Sequence, residues 1–172
     1  MRLKHKRLLI QTWFIRTFLF FLPDAPVMMR LRGFLYSLGC KSCGKNFQVT
    51  HSAILNTIET ICVGNDVYIG HNVILAGGGP INIEDEVMVG HNAVIVSSNH
   101  MKRRGSFRFG DNKVGTITIG KGSWIGANCC LLPGSSLPPG SVLAANSLLN
   151  KSFDEEDSVY AGVPAKFVKK TK

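Results

Sequence analysis

Three segments of the chain share one pattern that decides the fold: I-C-V-G-N-D-V-Y-I-G-H-N-V-I-L (61–75), I-N-I-E-D-E-V-M-V-G-H-N-A-V-I (81–95) and I-T-I-G-K-G-S-W-I-G-A-N-C-C-L (117–131). In each segment a branched aliphatic residue recurs every six residues, usually followed by a small or acidic residue. A short fixed period is typical of solenoids, because a single repeat cannot bury its own apolar side. We therefore expect each six-residue unit to be one short strand plus a turn, with three units forming one triangular coil.

The aliphatic residues at the repeat positions are the predicted core, stacked as one column inside the coils. They are Val63, Ile69, Leu75, Ile83, Val89, Ile95, Ile119, Ile125, Leu131, Leu137, Leu143 and Leu149. A glycine follows many of these residues, for example Gly90 and Gly126. Because glycine has no Cβ, it is expected to ease a tight corner of the coil.

The repeat is interrupted by one polar stretch between residues 97 and 115. The corresponding corner of the preceding coil takes eight residues, from Leu75 to Ile83, whereas Ile95 and Ile119 are twenty-four residues apart. The sixteen extra residues lack the aliphatic period and cannot join the core, so they are predicted to project from the body. The insertion opens with Asn99 and His100, and its basic side chains are the candidate substrate-binding residues. These are Lys102, Arg103, Arg104 and Arg108.

Composition and charge narrow the class of protein. The 172 residues are enough for one domain, and 45% hydrophobic against 18% charged residues is a globular composition. A formal net charge of +9 suits a partner that carries phosphate or an anionic membrane face. Nucleic acid is not expected, because binding it needs a basic stripe with aromatic platforms and the charges here gather at the termini and in one loop.

The metal-ligating residue types give no convincing site. Five cysteines, two of them adjacent, make a poor disulfide framework and fit a reducing, cytoplasmic compartment. Cys40 and Cys43 have zinc-knuckle spacing but no second pair follows them. His51, His71 and His91 recur twenty residues apart and should stack on one outward face, where the next coil has Ala127. We interpret them as a ladder on the solenoid flank or at a subunit contact, and expect no metal.

Residues 1–46 are predicted to be a basic and apolar helical segment ahead of the repeat. Residues 8–22 are largely apolar, but a bilayer span needs about 20 such residues and this run is interrupted by Gln11 and Arg16. Two interpretations stay open: a helix lying on the membrane surface with its basic residues facing anionic headgroups, or a helix packing on the body or on a neighbouring subunit. A second short helix is predicted over residues 27–38.

Residues 47–168 resemble the hexapeptide-repeat acyltransferases, and most specifically the sugar and xenobiotic O-acetyltransferases. The resemblance rests on the repeats, on I-G-K-G-S-W-I-G-A-N (119–128) and L-P-G-S (132–135), and on V-Y-A-G-V-P-A-K (159–166). It implies an all-β fold, a left-handed parallel β-helix with a loop insertion at about 97–116 and a basic tail at 169–172. It also implies a homotrimer with active sites between subunits, and acetyl-CoA as co-substrate.

The resemblance also implies roles for individual residues. Asn99 and His100 correspond to the Asn-His pair of these enzymes, with His100 as the general base that deprotonates an acceptor hydroxyl. The expected acetyl-CoA contacts are Trp124, Gly126, Ala127, Ala145, Lys151 and Lys166. Asn150 and Ala144 depart from the threonine and glycine common in the family at these positions.

The predicted activity is O-acetylation of a sugar hydroxyl in bacterial surface-polysaccharide biosynthesis, on an acceptor that is lipid-linked at the inner face of the membrane. The alternatives are a small free acceptor (simple sugar, amino acid, xenobiotic or amino-sugar nucleotide) and a catalytically silent β-helix scaffold. A zinc enzyme of the γ-class carbonic anhydrase type is not expected, because no two histidines here have that family's five-residue spacing.

Overall fold

The chain is built from two helices followed by short strands that wind into stacked triangular coils. The computed structural model describes residues 3–171. The helices are α1 (Leu3–Phe18) and α2 (Pro26–Ser37). The strands of the first sheet are β1 (Ser42–Cys43), β4 (Ile61–Val63), β7 (Ile81–Ile83), β12 (Ile117–Ile119) and β15 (Ser136–Leu137). Those of the second are β2 (Gln48–Val49), β5 (Tyr68–Ile69), β8 (Met88–Val89), β13 (Trp124–Ile125), β16 (Val142–Leu143), β18 (Ser158–Ala161) and β19 (Lys166–Lys170). The third contains β3 (Ile54–Leu55), β6 (Ile74–Ala76), β9 (Val94–Val96), β14 (Cys130–Leu131) and β17 (Leu148–Leu149). A separate ribbon contains β10 (Ser98–His100) and β11 (Asn112–Val114).

The strand register confirms the predicted parallel β-helix and its interruption. In the first sheet Cys62 pairs in parallel with Asn82, twenty residues later. Asn82 then pairs with Thr118, thirty-six residues later, and Thr118 with Ser136, eighteen residues later. The thirty-six-residue step exceeds the preceding one by the sixteen residues counted in the sequence. The insertion therefore leaves the stacking of the coils unbroken.

The predicted aliphatic column is the core of the molecule. All twelve predicted core residues are buried, and Val63, the most accessible of them, is only 5% exposed. Each coil contributes one such residue from each of the three sheets, so their side chains meet along the axis. The core side chains are removed from water only when coils stack, since a single coil would expose them at both of its ends.

At the corners of the coils, glycine has a different role from the predicted one. Gly126 does not have a left-handed backbone; the left-handed residue at this corner is Asn128, with φ 58°. A Cβ on Gly126 would lie 2.6 Å from the amide nitrogen of Ala145 in the next coil. The glycine is therefore needed because adjacent coils approach closely, while asparagine, which tolerates the left-handed region, makes the turn.

The helices cover the first coil. Leu8 and Ile15 of α1 and Tyr36 of α2 are buried in the core cluster. A Cβ on Gly33 of α2 would overlap the carbonyl of Phe47, so this helix lies directly on the backbone of the first coil. The helical segment thus packs on the body along one side. Within residues 3–171 no helix has the length and apolar character needed to cross a bilayer.

Buried Arg32 holds the turn between the two helices. Its guanidinium donates to the carbonyls of Leu19, Leu22 and Pro23 and, over 2.6 Å, to Oδ1 of Asp24. The side chain is only 2% exposed, so its charge is neutralised by Asp24 and its donors are satisfied by the chain itself. The turn is thereby fixed to α2.

The ends of the β-helix extend past the predicted boundaries. β1 pairs with β4, so the first coil begins at Ser42 and not at residue 47. At the other end β18 pairs in parallel with β16, and β19 folds back antiparallel on β18. Because β19 runs to Lys170, the predicted basic tail from residue 169 begins inside a strand. Met1 and Arg2 of the predicted helical segment, and Lys172 of the tail, lie outside the described residues.

Candidate active site

The insertion is an antiparallel β-hairpin that projects from the β-helix, as predicted. Among the described strands, β10 and β11 pair only with each other. The hairpin tip is closed by two backbone hydrogen bonds between Arg103 and Ser106, of 2.9 and 3.0 Å. Arg104 and Gly105 between them both have positive φ, as a two-residue hairpin turn requires. The polar sequence therefore forms an ordered ribbon.

A buried serine locks the base of the hairpin to the preceding coil. Ser97 Oγ donates to the carbonyl of Gly79 over 2.8 Å and accepts from the Gly79 amide over 3.1 Å. A Cβ on Gly77 would lie 2.4 Å from that hydroxyl. The Gly77–Gly79 run, at the eight-residue corner of the preceding coil, therefore packs against the base of the insertion. Sequence reasoning missed this contact, although three consecutive glycines at the equivalent corner were its signal.

His100 has a fixed backbone and an exposed side chain. In the ribbon Asn99 lies opposite Lys113 and His100 opposite Asn112. The amide of the next residue, Met101, donates to the carbonyl of Asp111 over 2.8 Å. Within residues 3–171 no hydrogen bond fixes the imidazole of His100. The ring is therefore anchored at its Cα and open to a substrate.

The predicted substrate-binding residues lie on the same hairpin and are all exposed. They are Lys102, Arg103, Arg104 and Arg108. No ion pair with an acidic side chain was found for them among the described residues, and the Arg108 guanidinium lies 5.9 Å from the centre of the Phe109 ring. Four cations beside one histidine make the hairpin a positively charged surface, which favours an anionic ligand.

A column of backbone amides runs up the corner between the second and third sheets, and its upper members are free. In the lower coils this amide is occupied: that of His51 donates to Asp24 Oδ1 over 2.9 Å, and that of His71 to Nδ1 of His91 over 3.0 Å. At His91, Ala127 and Ala145 in the higher coils, the amides have no hydrogen-bond partner among the described residues. Because alanine replaces histidine at this corner from Ala127 upward, no imidazole accepts from these amides, and they are left as donors with space for a ligand carbonyl.

The remaining predicted cofactor contacts lie near this column or beyond it. Trp124 is 48% exposed and sits between Met88 and Val142 on the outer face of the second sheet. The amide of Gly126 donates to the carbonyl of Leu143, so this residue has no free donor for a ligand. Glycine is needed here because the next coil leaves no room for a Cβ. The Lys151 ammonium lies 5.1 Å from the centre of the Phe153 ring. Lys166 is exposed at the start of β19.

The histidine ladder is present and is joined by an aspartate. The ring centroids of His51 and His71 are 5.3 Å apart, and those of His71 and His91 5.1 Å. Asp24, from the turn after α1, accepts from His51 Nδ1 over 2.6 Å and lies 3.5 Å from His71 Nε2. Asp24 was missed because it lies twenty-seven residues before His51 and outside the repeat. Its only sequence signal is that it is the first acidic residue of a basic segment.

The ladder also explains the ionisation of Asp24. Partial burial raises the pKa of this carboxyl, but the hydrogen bonds from the side chain and amide of His51, with the charges of His51 and Arg32, outweigh that effect. The pKa of Asp24 is therefore lowered from its ordinary value.

Three of the cysteines, Cys40, Cys129 and Cys130, are unsuited to nucleophilic catalysis. Burial, together with the neighbouring Cys43 and Cys62, raises the pKa of the Cys40 thiol to about 12. Burial also raises the pKa of Cys129 and of Cys130. Because the thiolate is the reactive form, these side chains stay neutral and inert at neutral pH.

Comparison with known proteins agrees with this architecture. Residues 116–151 match the family described as hexapeptide repeat of succinyl-transferase. This stretch contains strands β12 to β17 of the β-helix. The fold of the chain is also that of a solved galactoside acetyltransferase in complex with coenzyme A, with a TM-score of 0.83 at 22% identity over 98% of this chain and 81% of that one.

Two curated proteins resemble part of the chain. A probable macrolide acetyltransferase of Lysinibacillus sphaericus is 46% identical over 56 residues, which is 33% of this chain and 31% of the relative. The putative lipopolysaccharide biosynthesis O-acetyl transferase WbbJ of Escherichia coli K12 is 44% identical over 54 residues, 31% of this chain and 27% of the relative. The matched region thus spans less than a third of either relative.

Proposed function

We propose that this protein is an acetyl-CoA-dependent O-acetyltransferase acting on a sugar hydroxyl, with His100 as the general base. The observation that carries the proposal is the hairpin. Sixteen residues inserted at one corner of an otherwise regular β-helix hold an exposed imidazole at a fixed backbone position. A scaffold made only of stacked coils has no need for such an insertion.

The amide column supports acetyl-CoA as the acyl donor. The pantetheine arm of coenzyme A carries two amide groups, whose carbonyls need donors along an extended path. The free amides of Ala127 and Ala145 follow such a path from one coil to the next, with Trp124 on the adjacent sheet. Lys151 and Lys166 supply positive charge for the phosphates of the nucleotide.

The proposed chemistry is a single acyl transfer. The acceptor hydroxyl oxygen attacks the thioester carbonyl carbon while a neutral imidazole at His100 takes the hydroxyl proton. A C–O bond forms, the C–S bond breaks as the tetrahedral intermediate collapses, and the imidazolium returns its proton to the departing coenzyme A thiolate. Backbone donors at a coil corner would stabilise the oxyanion.

The proposed acceptor is a sugar of surface-polysaccharide assembly, held by the basic hairpin. The galactoside acetyltransferase and WbbJ are named for sugar-linked substrates, and both resemble this chain in fold or in part of its sequence. Lys102, Arg103, Arg104 and Arg108 suit an acceptor that carries phosphate. Asn99, next to the base, is proposed to orient the acceptor hydroxyl.

The proposed assembly is a homotrimer with its active sites between subunits.

α1 leaves Ile10, Phe14 and Phe18 exposed, with Lys6 and Arg7 at its basic end. We propose that this face rests on the anionic inner surface of the membrane, where a lipid-linked acceptor would be found. The five free cysteines suit the reducing cytoplasm.

One experiment tests the proposed function. Purified full-length protein is given acetyl-CoA and a panel of sugar acceptors, and the thiol of coenzyme A is followed as it is released. His100→Ala should lower the rate by about 10² to 10⁴ while leaving coenzyme A affinity nearly unchanged. Asn112→Ala, which removes the exposed side chain opposite His100, is the matched control and should retain most of the activity. Near-normal turnover of His100→Ala would refute the base, and no thiol release with any acceptor would refute the enzyme.

A further inference from the structure

A groove runs between the two amino-terminal helices. Its volume is about 410 Å³, within the range of small-molecule sites. All of its lining residues come from α1, α2 and the residues that directly follow each helix, so the groove is separate from the hairpin and from the histidine ladder. The side chains that concern the argument are Gln11, Phe14, Ile15, Phe18, Leu35 and Leu38.

The surface of the groove is apolar. Ile15 is buried at its base, whereas Phe14 is 50% exposed and Phe18 63%. The rings of Phe14 and Phe18 stack with their centroids 5.0 Å apart and form a flat wall. The polar side chain among the lining residues, Gln11, donates its amide to the carbonyl of Leu35 over 2.7 Å. A ligand therefore finds mainly hydrocarbon contacts here, and large aromatic groups left open together usually mark a binding surface.

One end of the groove is positively charged. Arg7 lies four residues before Gln11, so it is on the same face of α1, one turn beyond the apolar part of the groove. A Cβ on Gly39 would lie 2.8 Å from the Leu8 side chain, so the chain after α2 returns to the start of α1 and brings Lys41 to the same end. Arg7 and Lys41 are exposed. Within residues 3–171 neither side chain makes an ion pair or hydrogen bond, so both are available to an anion.

The charged end lies at the corner of the coils from which the hairpin projects. The amide of Lys41 donates to the carbonyl of Ile61 over 3.0 Å, and His5 Nδ1 lies 2.5 Å from Glu59 Oε1. Both contacts are made with the corner at residues 55–63, between the third sheet and the first. The hairpin leaves this corner two coils higher, roughly 10 Å away at the usual spacing of strands. Because Glu59 is paired with His5, its carboxylate does not neutralise the two free cations.

We propose that this groove binds the hydrocarbon chain of a single-chain lipid phosphate, the carrier to which the acceptor sugar is attached. The chain lies against Phe14, Ile15 and Phe18. The phosphate binds Arg7 and Lys41 at the end of the groove nearest to the hairpin. The inference rests on the proposed function, since it names the lipid carrier of the same acceptor.

Shape and charge favour this occupant over a bilayer or a second copy of the protein. Bilayers take up convex apolar faces, whereas a concave groove between two helices encloses a single chain. From Arg7 to Phe18 the helix rises over eleven residues, about 16 Å, which is the length of an extended chain of about twelve carbons. A second copy would bring another net charge of +9 to an end of the molecule that is already basic.

Binding is tested by calorimetry on the full-length protein with ligands below their micelle concentrations. The probes are hexyl, octyl, decyl and dodecyl phosphate, farnesyl phosphate, uncharged dodecyl maltoside and inorganic phosphate. Affinity should rise about two- to fourfold with each added CH₂ until the chain fills the groove, because each CH₂ is removed from water. Farnesyl phosphate should bind at least as tightly as dodecyl phosphate. Dodecyl maltoside and inorganic phosphate should each bind about tenfold more weakly or worse, since each lacks one of the two interactions.

Two phenylalanine variants separate the groove from general apolar binding. Phe18→Gln removes a wall of the groove and should weaken dodecyl phosphate by about tenfold. Phe34→Gln is the matched control, because Phe34 is 60% exposed on α2 but does not line the groove, and it should change affinity less than about twofold. Circular dichroism of both variants checks that the helices are intact.

Lysine variants test the charged end in the same way. Lys41→Gln should weaken dodecyl phosphate by about three- to tenfold and leave dodecyl maltoside unchanged. Lys45→Gln removes the same charge from an exposed position four residues later and should change the affinity for dodecyl phosphate less than about twofold.

Several results would overturn the proposal. These are no saturable binding of dodecyl or farnesyl phosphate, equal losses in Phe18→Gln and Phe34→Gln, or equal losses in Lys41→Gln and Lys45→Gln. Binding confined to phosphatidylglycerol vesicles would assign the groove to the membrane surface. A dimer in light scattering that Phe18→Gln dissociates would assign it to a second copy of the protein.

The same proteins distinguish this inference from the function on which it rests. Binding of farnesyl phosphate that depends on Phe18, without any thiol release from acetyl-CoA, would leave the groove established and refute the acetyltransferase. Thiol release with farnesyl diphosphate-linked N-acetylglucosamine at an unchanged KM in Phe18→Gln would leave the enzyme standing and refute the groove as its carrier site.

Discussion

At the scale of single residues, the distance between coils decides what each corner tolerates. Gly126 and Gly78 show the contrast. A Cβ on Gly126 would meet two backbone atoms of the next coil, 2.6 and 2.8 Å away, whereas one on Gly78 would meet only a methyl group at 3.7 Å. Neither glycine has a positive φ, so the space around the new atom is what differs between them.

This contrast predicts opposite effects of the same substitution. Gly126→Ala should lower the free energy of unfolding by about 2 kcal/mol, because rigid backbone must move to admit the methyl group. Gly78→Ala should be neutral or stabilise by up to about 1 kcal/mol, because alanine restricts the unfolded chain. Urea unfolding of the two variants makes the comparison, and equal effects would show that coil spacing does not select glycine at Gly126.

Among the single-residue features, the sequence predicts the core residues but not the start of the first coil or the contact between Asp24 and His51. The core residues are predictable because a six-residue period projects every anchor, from Val63 to Leu149, onto the same axis. Cys43 occupies an anchor position of the first coil but is not aliphatic, so the six-residue aliphatic pattern does not reveal where that coil starts. The contact between Asp24 and His51 joins a turn to a coil corner, and no periodicity relates the two.

At the scale of elements, the hairpin is independent of the coils that carry it. Its strands bond only to each other among the described strands, and its base rests on Ser97 and Gly115. The existence and position of this element follow from counting residues between anchors. Its ordered ribbon form does not, because the polar run contains no strand pattern; it depends on the turn at Arg104 and Gly105.

The independence of the hairpin predicts that it can be removed. Deleting residues 99–114 joins Ser98 to Gly115 and restores an eight-residue corner like that of the preceding coil. The shortened protein should melt within a few degrees of the parent and still bind coenzyme A, while acetyl transfer falls by a factor of about 10² or more. Thermal unfolding, calorimetric binding and thiol release provide the three readouts. Loss of folding would mean that the coils depend on the ribbon.

The α1–α2 turn is a second element whose stability rests on one side chain. Arg32→Met should destabilise the protein by about 3 kcal/mol or more, because it leaves several carbonyls and a carboxylate without their donor. Arg30→Met removes an exposed arginine of the same helix that bonds only to Asn46 among the described side chains. This control should cost less than about 0.5 kcal/mol. Denaturant unfolding compares them, and equal losses would contradict the role assigned to the buried guanidinium.

At the scale of the whole molecule, the turn couples stability to pH. Asp24 has a lowered pKa in the folded protein, so the unfolded chain takes up its proton at a higher pH than the folded one does. The stabilisation from ionised Asp24 is therefore complete above the unfolded value of about 3.9 and is lost as the pH falls through the lower folded value.

A difference measurement isolates this contribution. Asp24→Asn should be less stable than the parent at pH 7, and the gap should close as the pH falls from about 4 to 2. Asp111→Asn, which removes an exposed carboxylate of the hairpin, should show no such gap. Urea unfolding at a fixed protein concentration over this pH range makes the comparison, and a gap for Asp24→Asn that persists in acid would exclude ionisation of Asp24 as its source.

The covered ends of the β-helix have a consequence for how copies of the protein can meet. α2 lies on the backbone of the first coil, and the β18–β19 hairpin closes the second sheet at the other end. An open strand edge is a template on which another chain can add, and stacked solenoids would otherwise grow into fibres. Here α2 covers the first end of the second sheet, and the antiparallel strand β19 ends its parallel stacking at the other, which disfavours end-to-end growth. Copies of the protein are therefore expected to associate through the sides of the β-helix. Such an assembly does not extend along the helix axis and can close into a ring.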